Sequence, residues 1–239
     1  MFKDTEAGTP QGGLVSPVLA NIYLHYVLDW WFEGRFAKTC RGKAFLVRYA
    51  DDFVACFQHE EDARRFMTAM AERLAAFGLE VEPSKTTLIR FGSDASRHCR
   101  KDARRRPATF NFLGFTHYVG ASRSGRFVVG RKTEGKRLRK KLQEVNQRLR
   151  TLRIEGGRAM TMYLRQHLQG HIQYYSVSGN SRSLQNYVHH AAWLLYKWLN
   201  RRSQRRSVTM ERFGKLMRAG MLPAARIVHN LYPKPKWTT

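Results

Sequence analysis

Two adjacent carboxylates, Asp51 and Asp52, lie between two strand-like runs, Phe45-Leu46-Val47-Arg48-Tyr49 and Phe53-Val54-Ala55-Cys56-Phe57. In a straight strand neighbouring side chains point to opposite faces. At the tip of a β-hairpin the backbone turns, so two neighbouring acids can converge on one ion. Carboxylates with no histidine or cysteine nearby suit a hard cation, magnesium or manganese. Aspartate is also a common turn residue, and on the dipeptide alone a solvated turn is the favoured reading. The apolar strands on both sides favour the first reading, because they fix the pair rigidly beside a core.

The elements around the hairpin follow from spacing. Residues 8–15 form a glycine-rich loop. Ser16 then reads as a helix N-cap, with Pro17 at the first helical position. Leu19, Ile22, Tyr23, Tyr26, Val27 and Trp30 recur at helical spacing, and Gly34 is expected to end that helix. A second helix fits 60–77, with Glu60, Glu61 and Asp62 at its positive N-terminal end. Ala63, Phe66, Met67, Met70, Leu74 and Phe77 would form its buried face, and Gly78 its C-cap. Residues 79–81 and 87–91 read as strands. This order predicts an α+β layer: an antiparallel sheet with helices on one face.

Beyond residue 97 the character changes. Residues 97–150 hold 17 Lys or Arg against Asp102, Glu134 and Glu144. A short β segment is expected over 110–115 and a hairpin over 123–129. Leu138, Leu142, Val145, Leu149 and Leu152 then form an apolar helical seam with basic flanks, broken by Gly156-Gly157. Residues 159–175 and 183–202 supply two more helices around Ser178-Gly179-Asn180, so a small α-helical bundle follows the sheet. The spacing puts the domain boundary near 130, giving domains 1–130 and 131–239.

The whole chain carries 43 Lys plus Arg against 18 Asp plus Glu, a formal charge of +25. Such a surface attracts polyanions, nucleic acid above all. No apolar run reaches the roughly 18 residues needed to cross a bilayer, and the N-terminus does not read as a signal peptide. Cys40, Cys56 and Cys99 lack zinc-ligand spacing and an even count, which predicts free thiols in a reducing, cytoplasmic setting.

Tyr49-Ala50-Asp51-Asp52 resembles the catalytic-loop motif of reverse transcriptases. Thr9-Pro10-Gln11-Gly12-Gly13-Leu14-Val15-Ser16-Pro17, with Leu19-Ala20-Asn21-Ile22-Tyr23-Leu24, is similar to the preceding block in group II intron enzymes. Gly78-Leu79 with Lys85-Thr86 resembles the next block, and Phe112-Leu113-Gly114-Phe115 the primer grip. Gly170-His171-Ile172-Gln173-Tyr174-Tyr175, the helix over 184–206 and Leu222-Pro223 with Arg226–His229 resemble the maturase-specific thumb. Each block is weak alone; their order along the chain is specific.

The resemblance implies a partial polymerase-type palm followed by an α-helical thumb, with RNA-directed DNA polymerase (nucleotidyltransferase) activity. It implies that Asp51 and Asp52 ligate two magnesium ions, manganese being possible, which activate a primer 3′-hydroxyl and stabilise pyrophosphate. Lys85 would sit near that pyrophosphate as charge partner or proton donor, or else be a surface lysine. Gln11, Gly12 and Gly13 would let backbone approach the nascent base pair, or simply form a tight turn. Tyr49 would pack at the floor of the site or belong to the sheet. Leu113 and Gly114 would support the primer strand, or form a buried β turn. Lys136, Arg137, Arg139, Lys140 and Lys141 would track phosphates of a template–primer duplex. Tyr174, Tyr175 and Tyr196 join them as candidate RNA contacts, while Trp193 and Trp198 are expected in the bundle core.

The implied partners are an RNA template with DNA primer, dNTPs and intron RNA, in a mobile element that also takes part in RNA splicing. The family also uses a third carboxylate, on a strand before the Gln11 loop. Asp4 stands in the wrong context and Asp29 lies inside the first helix, so neither is expected to replace it. That makes an N-terminally truncated copy the expectation. The alternative is a splicing maturase fragment that binds RNA without polymerising.

Overall fold

The computed structural model describes residues 15–95, 99, 106–122, 124–201 and 208–231. The chain packs as two compact units, 1–91 and 92–239.

The first unit begins with helix α1, Ser16–Leu24. Its cap position is Val15, one residue before the expected Ser16, and Pro17 still falls in the first turn, where its missing N–H costs nothing. Gly34 does not end the helix. The chain continues through two π-helical turns, His25–Asp29 and Phe32–Phe36, and a 3₁₀ turn, Ala37–Thr39. Each π turn admits an extra residue and rotates the face that follows. The buried stripe is therefore Val27, Leu28, Phe32 and Phe36, not the expected one. Leu19, Ile22, Tyr23, Tyr26 and Trp30 are exposed, Trp30 by 64%.

Strands β1 (Ala44–Tyr49) and β2 (Asp52–Phe57) pair antiparallel with Tyr49 opposite Asp52, as the apolar runs predict. Helix α2, Glu60–Ala75, buries Asp62, Ala63, Phe66, Met70 and Leu74. Gly78, at φ +69°, closes it, with the Leu79 N–H bonded back to the Leu74 carbonyl. Phe77 leaves the expected face and lies exposed under the Arg73 guanidinium, 4.2 Å from its ring centroid. At the centre of this core Phe57 and Phe66 meet each other, and both Phe32 and Phe36, edge-on or tilted, while Phe32 and Phe36 stack on each other. Residues 79–81 and 87–91 are not strands. Among the described residues the β1–β2 sheet has two strands and does not include them, although Leu79 and Val81 still pack on the core.

The second unit holds a three-stranded antiparallel sheet, β3 (Phe110–Phe112), β4 (Phe115–Ala121) and β5 (Phe127–Thr133), in the order β3-β4-β5. The two sheets are thus separate, one in each unit, where a single layer was expected. Helices α3 (Gly135–Leu152), α4 (Gly157–Tyr175), α5 (Ser181–Leu199) and α6 (Met210–Arg218) follow. The predicted seam closes as expected: Val145, Leu149 and Leu152 are buried, with Leu138 and Leu142 packed against the same core. Met160, Leu164, Leu168, Leu184, Tyr187, Leu195 and Trp198 complete it. Trp193 does not join them; it is 46% exposed on α5.

Asn180 ties the sheet to the helices. Its amide accepts from the Thr133 N–H at 2.8 Å and donates to the Thr133 hydroxyl and the Tyr175 carbonyl, both at 2.9 Å. In packing terms, residues 110–133 therefore belong with the helices after them. No helix among the described residues is long and apolar enough to cross a membrane.

Candidate active site

The turn between β1 and β2 consists of Ala50 and Asp51 alone. Ala50 has φ +54°. A positive φ at only the first central position is the pattern of a type II′ turn, where glycine is the usual residue. An alanine there costs about 1 kcal/mol in backbone strain. The turn holds that strain at the position next to the acid pair.

Asp51 and Asp52 are both exposed. Neither carboxylate accepts a hydrogen bond or joins an ion pair among the described residues, in a chain of net charge +25. Asp52 stands opposite Tyr49 in the ladder, so the two share one face of the hairpin with Val47 and Val54. Tyr49 is 65% exposed, so it lies on an open face and not on a packed floor. Two free carboxylates at a fixed tip suit a hard divalent cation in donor type and in accessibility. No group of three or more His, Cys, Asp or Glu stands ready for a metal among the described residues.

The opposite face of β1 holds Ala44, Leu46 and Arg48. Arg48 is a residue that sequence reasoning misses. Its Nε and Nη2 donate to the Asp29 carboxylate at 2.8 and 2.6 Å, and its Nη1 donates to the Asn21 amide oxygen at 2.9 Å and the Ala50 carbonyl at 2.8 Å. The hydrogen-bonded Asp29 carboxylate holds the guanidinium above its ordinary pKa. Asp29 is thereby committed to Arg48. The available signal was an arginine at an inward position of an alternating strand, which requires a partner.

Lys85 lies exposed in a turn over Glu82–Lys85, with its N–H bonded to the Glu82 carbonyl at 3.1 Å. Among the described residues no hydrogen bond or ion pair joins it to Asp51 or Asp52. Gln11, Gly12 and Gly13 lie outside the described residues.

In the second unit, Leu113 and Gly114 form the two-residue turn between β3 and β4, at φ +50° and +77°. Both positive values make a type I′ pattern. The short β segment expected over 110–115 is this hairpin, with the β turn at Leu113–Gly114. The Tyr174 hydroxyl donates to the Leu113 carbonyl, and the Gly114 carbonyl accepts from the Glu134 N–H at 3.0 Å. A Cβ at Gly114 would stand 2.9 Å from the Tyr175 hydroxyl and 3.4 Å from Arg137 Nη1.

That geometry divides the basic residues of α3. Arg137 pairs with Glu134 at 3.1 Å and reaches the turn, and Lys141 pairs with Glu144 at 2.8 Å. Lys136, Arg139 and Lys140 are exposed, and among the described residues none of them forms such an ion pair. Of the aromatic candidates, Tyr174 is half exposed and stacks on Phe115, whereas Tyr175 and Tyr196 pack against the bundle.

A family model described as reverse transcriptase (RNA-dependent DNA polymerase) matches residues 2–117. No curated protein matches the chain. The matched span includes the Asp51–Asp52 hairpin and the Leu113–Gly114 turn, so what this chain is similar to, over residues 2–117, is a reverse transcriptase domain.

Proposed function

We propose that this chain is the palm and thumb part of a group II intron-type reverse transcriptase and maturase, with residues 1–130 as palm and 131–239 as thumb. The observation that carries the reading is the exposed, unpaired Asp51–Asp52 pair at a strained hairpin tip inside the span similar to reverse transcriptases. Asp51 and Asp52 would hold magnesium, or manganese, whose charge would favour loss of the primer 3′-hydroxyl proton and offset charge on the pyrophosphate. The protein supplies position: the hairpin fixes the carboxylates, and Tyr49 lies exposed beside Asp52 for contact with an incoming dNTP or template base. Gln11, Gly12 and Gly13 would border the same base pair, and Lys85 would offer charge or a proton to the leaving group.

In the second unit, Leu113 and Gly114 would bear on the primer strand, and the unpaired Lys136, Arg139 and Lys140 on phosphates of the RNA template–DNA primer duplex or of intron RNA. The pairing of Arg137 and Lys141 with Glu134 and Glu144 makes them weaker candidates for direct phosphate contact.

A second reading is favoured by one observation: among the described residues no third metal-ligating side chain accompanies the acid pair. On that reading the chain binds and helps fold intron RNA without polymerising. Magnesium-dependent dNTP incorporation on a primed RNA template separates the two. Incorporation that Asp51→Asn and Asp52→Asn each abolish supports polymerisation. Tight RNA binding without incorporation supports the binding-only reading.

A further inference from the structure

Arg48 stands on the inward face of β1, behind two apolar residues, with its side chain only 10% exposed. Burying a guanidinium there is costly unless every donor direction is used. Here the fork spans three elements. Its Nε and Nη2 grip Asp29 in the first π-helical turn, while Nη1 bridges the Asn21 side chain of α1 and the carbonyl of Ala50. Asn21 is itself held, its amide donating to the Pro17 carbonyl at 3.0 Å. Ala50 is the strained residue of the turn, adjacent to Asp51. A carbonyl fixed by a charged donor resists rotation of the Ala50–Asp51 peptide, and with it changes in ψ of Ala50 and φ of Asp51, the torsions that aim the Asp51 side chain.

We propose that Arg48 is a positioning residue for the Asp51–Asp52 pair, and that Asp29 orients it. The clamp sets the Ala50 peptide and so the direction in which both carboxylates leave the hairpin tip. This rests on the reading of Asp51 and Asp52 as the cation-binding pair. Asp29 acts through Arg48 and does not touch the cation. The proposal is distinguishable from plain electrostatics by sign. A nearby positive charge weakens cation binding, so deleting it should tighten binding; loss of a positioning group should loosen it.

The test is titration of the full chain, labelled with ¹⁵N and deuterium, with Mn²⁺ alone, following paramagnetic broadening of backbone amides. In the wild type, amides 50–53 should broaden, and the Asp51→Asn/Asp52→Asn double variant should lose that response. A wild type without local broadening, or a double variant with unchanged broadening, would overturn the cation reading itself. Given the response, Arg48→Gln should need roughly tenfold more Mn²⁺, the scale typical of groups that orient metal ligands. Arg48→Lys keeps the charge but cannot hold Asp29 and the Ala50 carbonyl together, so it should also weaken binding. Unshifted Val27 and Leu28 amides would show the core intact in both. Binding by Arg48→Gln that equals or exceeds wild type would overturn the positioning role and leave the cation reading standing. So would wild-type binding by Arg48→Lys. Failure of both variants to fold would make the clamp a folding element, and the positioning role would fall.

Discussion

The phenolic hydroxyl of Tyr174 donates a 3.0 Å hydrogen bond to the carbonyl oxygen of Leu113, a leucine held at φ +50°. Among the described residues, Ala50 is the other non-glycine with positive φ, and its carbonyl is likewise held, by Arg48. Both residues open two-residue hairpin turns, and both turns carry motifs that resemble working parts of a polymerase. Backbone strain at such positions persists only where the surroundings hold it.

Gly114→Ala and Gly125→Ala make a matched pair. Both glycines lie at nearly the same φ, +77° and +75°, but only Gly114 has atoms within 4 Å of a built Cβ. The shared strain should cost each variant about 1 kcal/mol. Displacing the Tyr175 hydroxyl should add about 1 kcal/mol or more at Gly114. Urea unfolding of the two variants checks this, and equal destabilisation would mean that the close approach at Gly114 carries no cost.

Asp51→Asn and Asp52→Asn should leave stability within about 0.5 kcal/mol of wild type, since both side chains are exposed and unpaired. Each should nonetheless abolish any magnesium-dependent incorporation. Thermal unfolding and primer extension measured on the same preparations check the pair of outcomes. A large loss of stability in either would mean that the carboxylate has a structural partner.

The Lys136→Ala/Arg139→Ala/Lys140→Ala variant should bind structured RNA more weakly and with a flatter salt dependence. Every duplex phosphate that the variant no longer neutralises flattens the slope of log K against log salt by roughly 0.9. Lys141→Ala should change the slope less, because Glu144 already neutralises that lysine. Titrating labelled RNA at several salt concentrations tests both. An unchanged slope in the triple variant would move the RNA surface off this face of α3.

His171 stacks on Tyr187 with ring centroids 3.7 Å apart, and its buried Nε2 has no hydrogen-bond partner among the described residues. Burial pushes its pKa down to about 4, against an ordinary value of 6.5. The unfolded chain therefore binds more protons than the folded one between those values, so stability rises with pH across that window and levels above it. His167, also lowered by burial, contributes in the same direction. His171→Phe keeps the stacking and removes the titrating group, so it should flatten part of the rise between about pH 4 and 6.5. Urea unfolding at roughly pH 4.5, 5.5 and 7 measures it. An unaltered pH profile would assign the whole effect to other groups.

Local pattern alone was enough for the β1–β2 hairpin, helix α2 with its Gly78 cap, and the seam of α3. In each of them adjacent residues decide the outcome: alternation across a two-residue turn, a glycine at positive φ, apolar side chains at 3.6-residue spacing. The candidate acids were legible for the same reason, since chain order itself puts Asp51 and Asp52 at a tip. The tertiary structure decided the rest. Two π turns rotated the face of the first helix, so Trp30 lies exposed where Val27 and Phe32 are buried. Residues 87–91 have strand composition but join neither sheet of the described residues. Trp193 and Trp198 have the same chemistry and lie five residues apart on one helix, yet only Trp198 faces the bundle. Arg48 drew no notice within its strand, because its importance lies in Asp29, nineteen residues away in sequence and 2.6 Å away in space. Periodicity along the chain reports which side chains share a face, but which face is covered, and which charge meets which, depends on contacts between segments that no local pattern encodes.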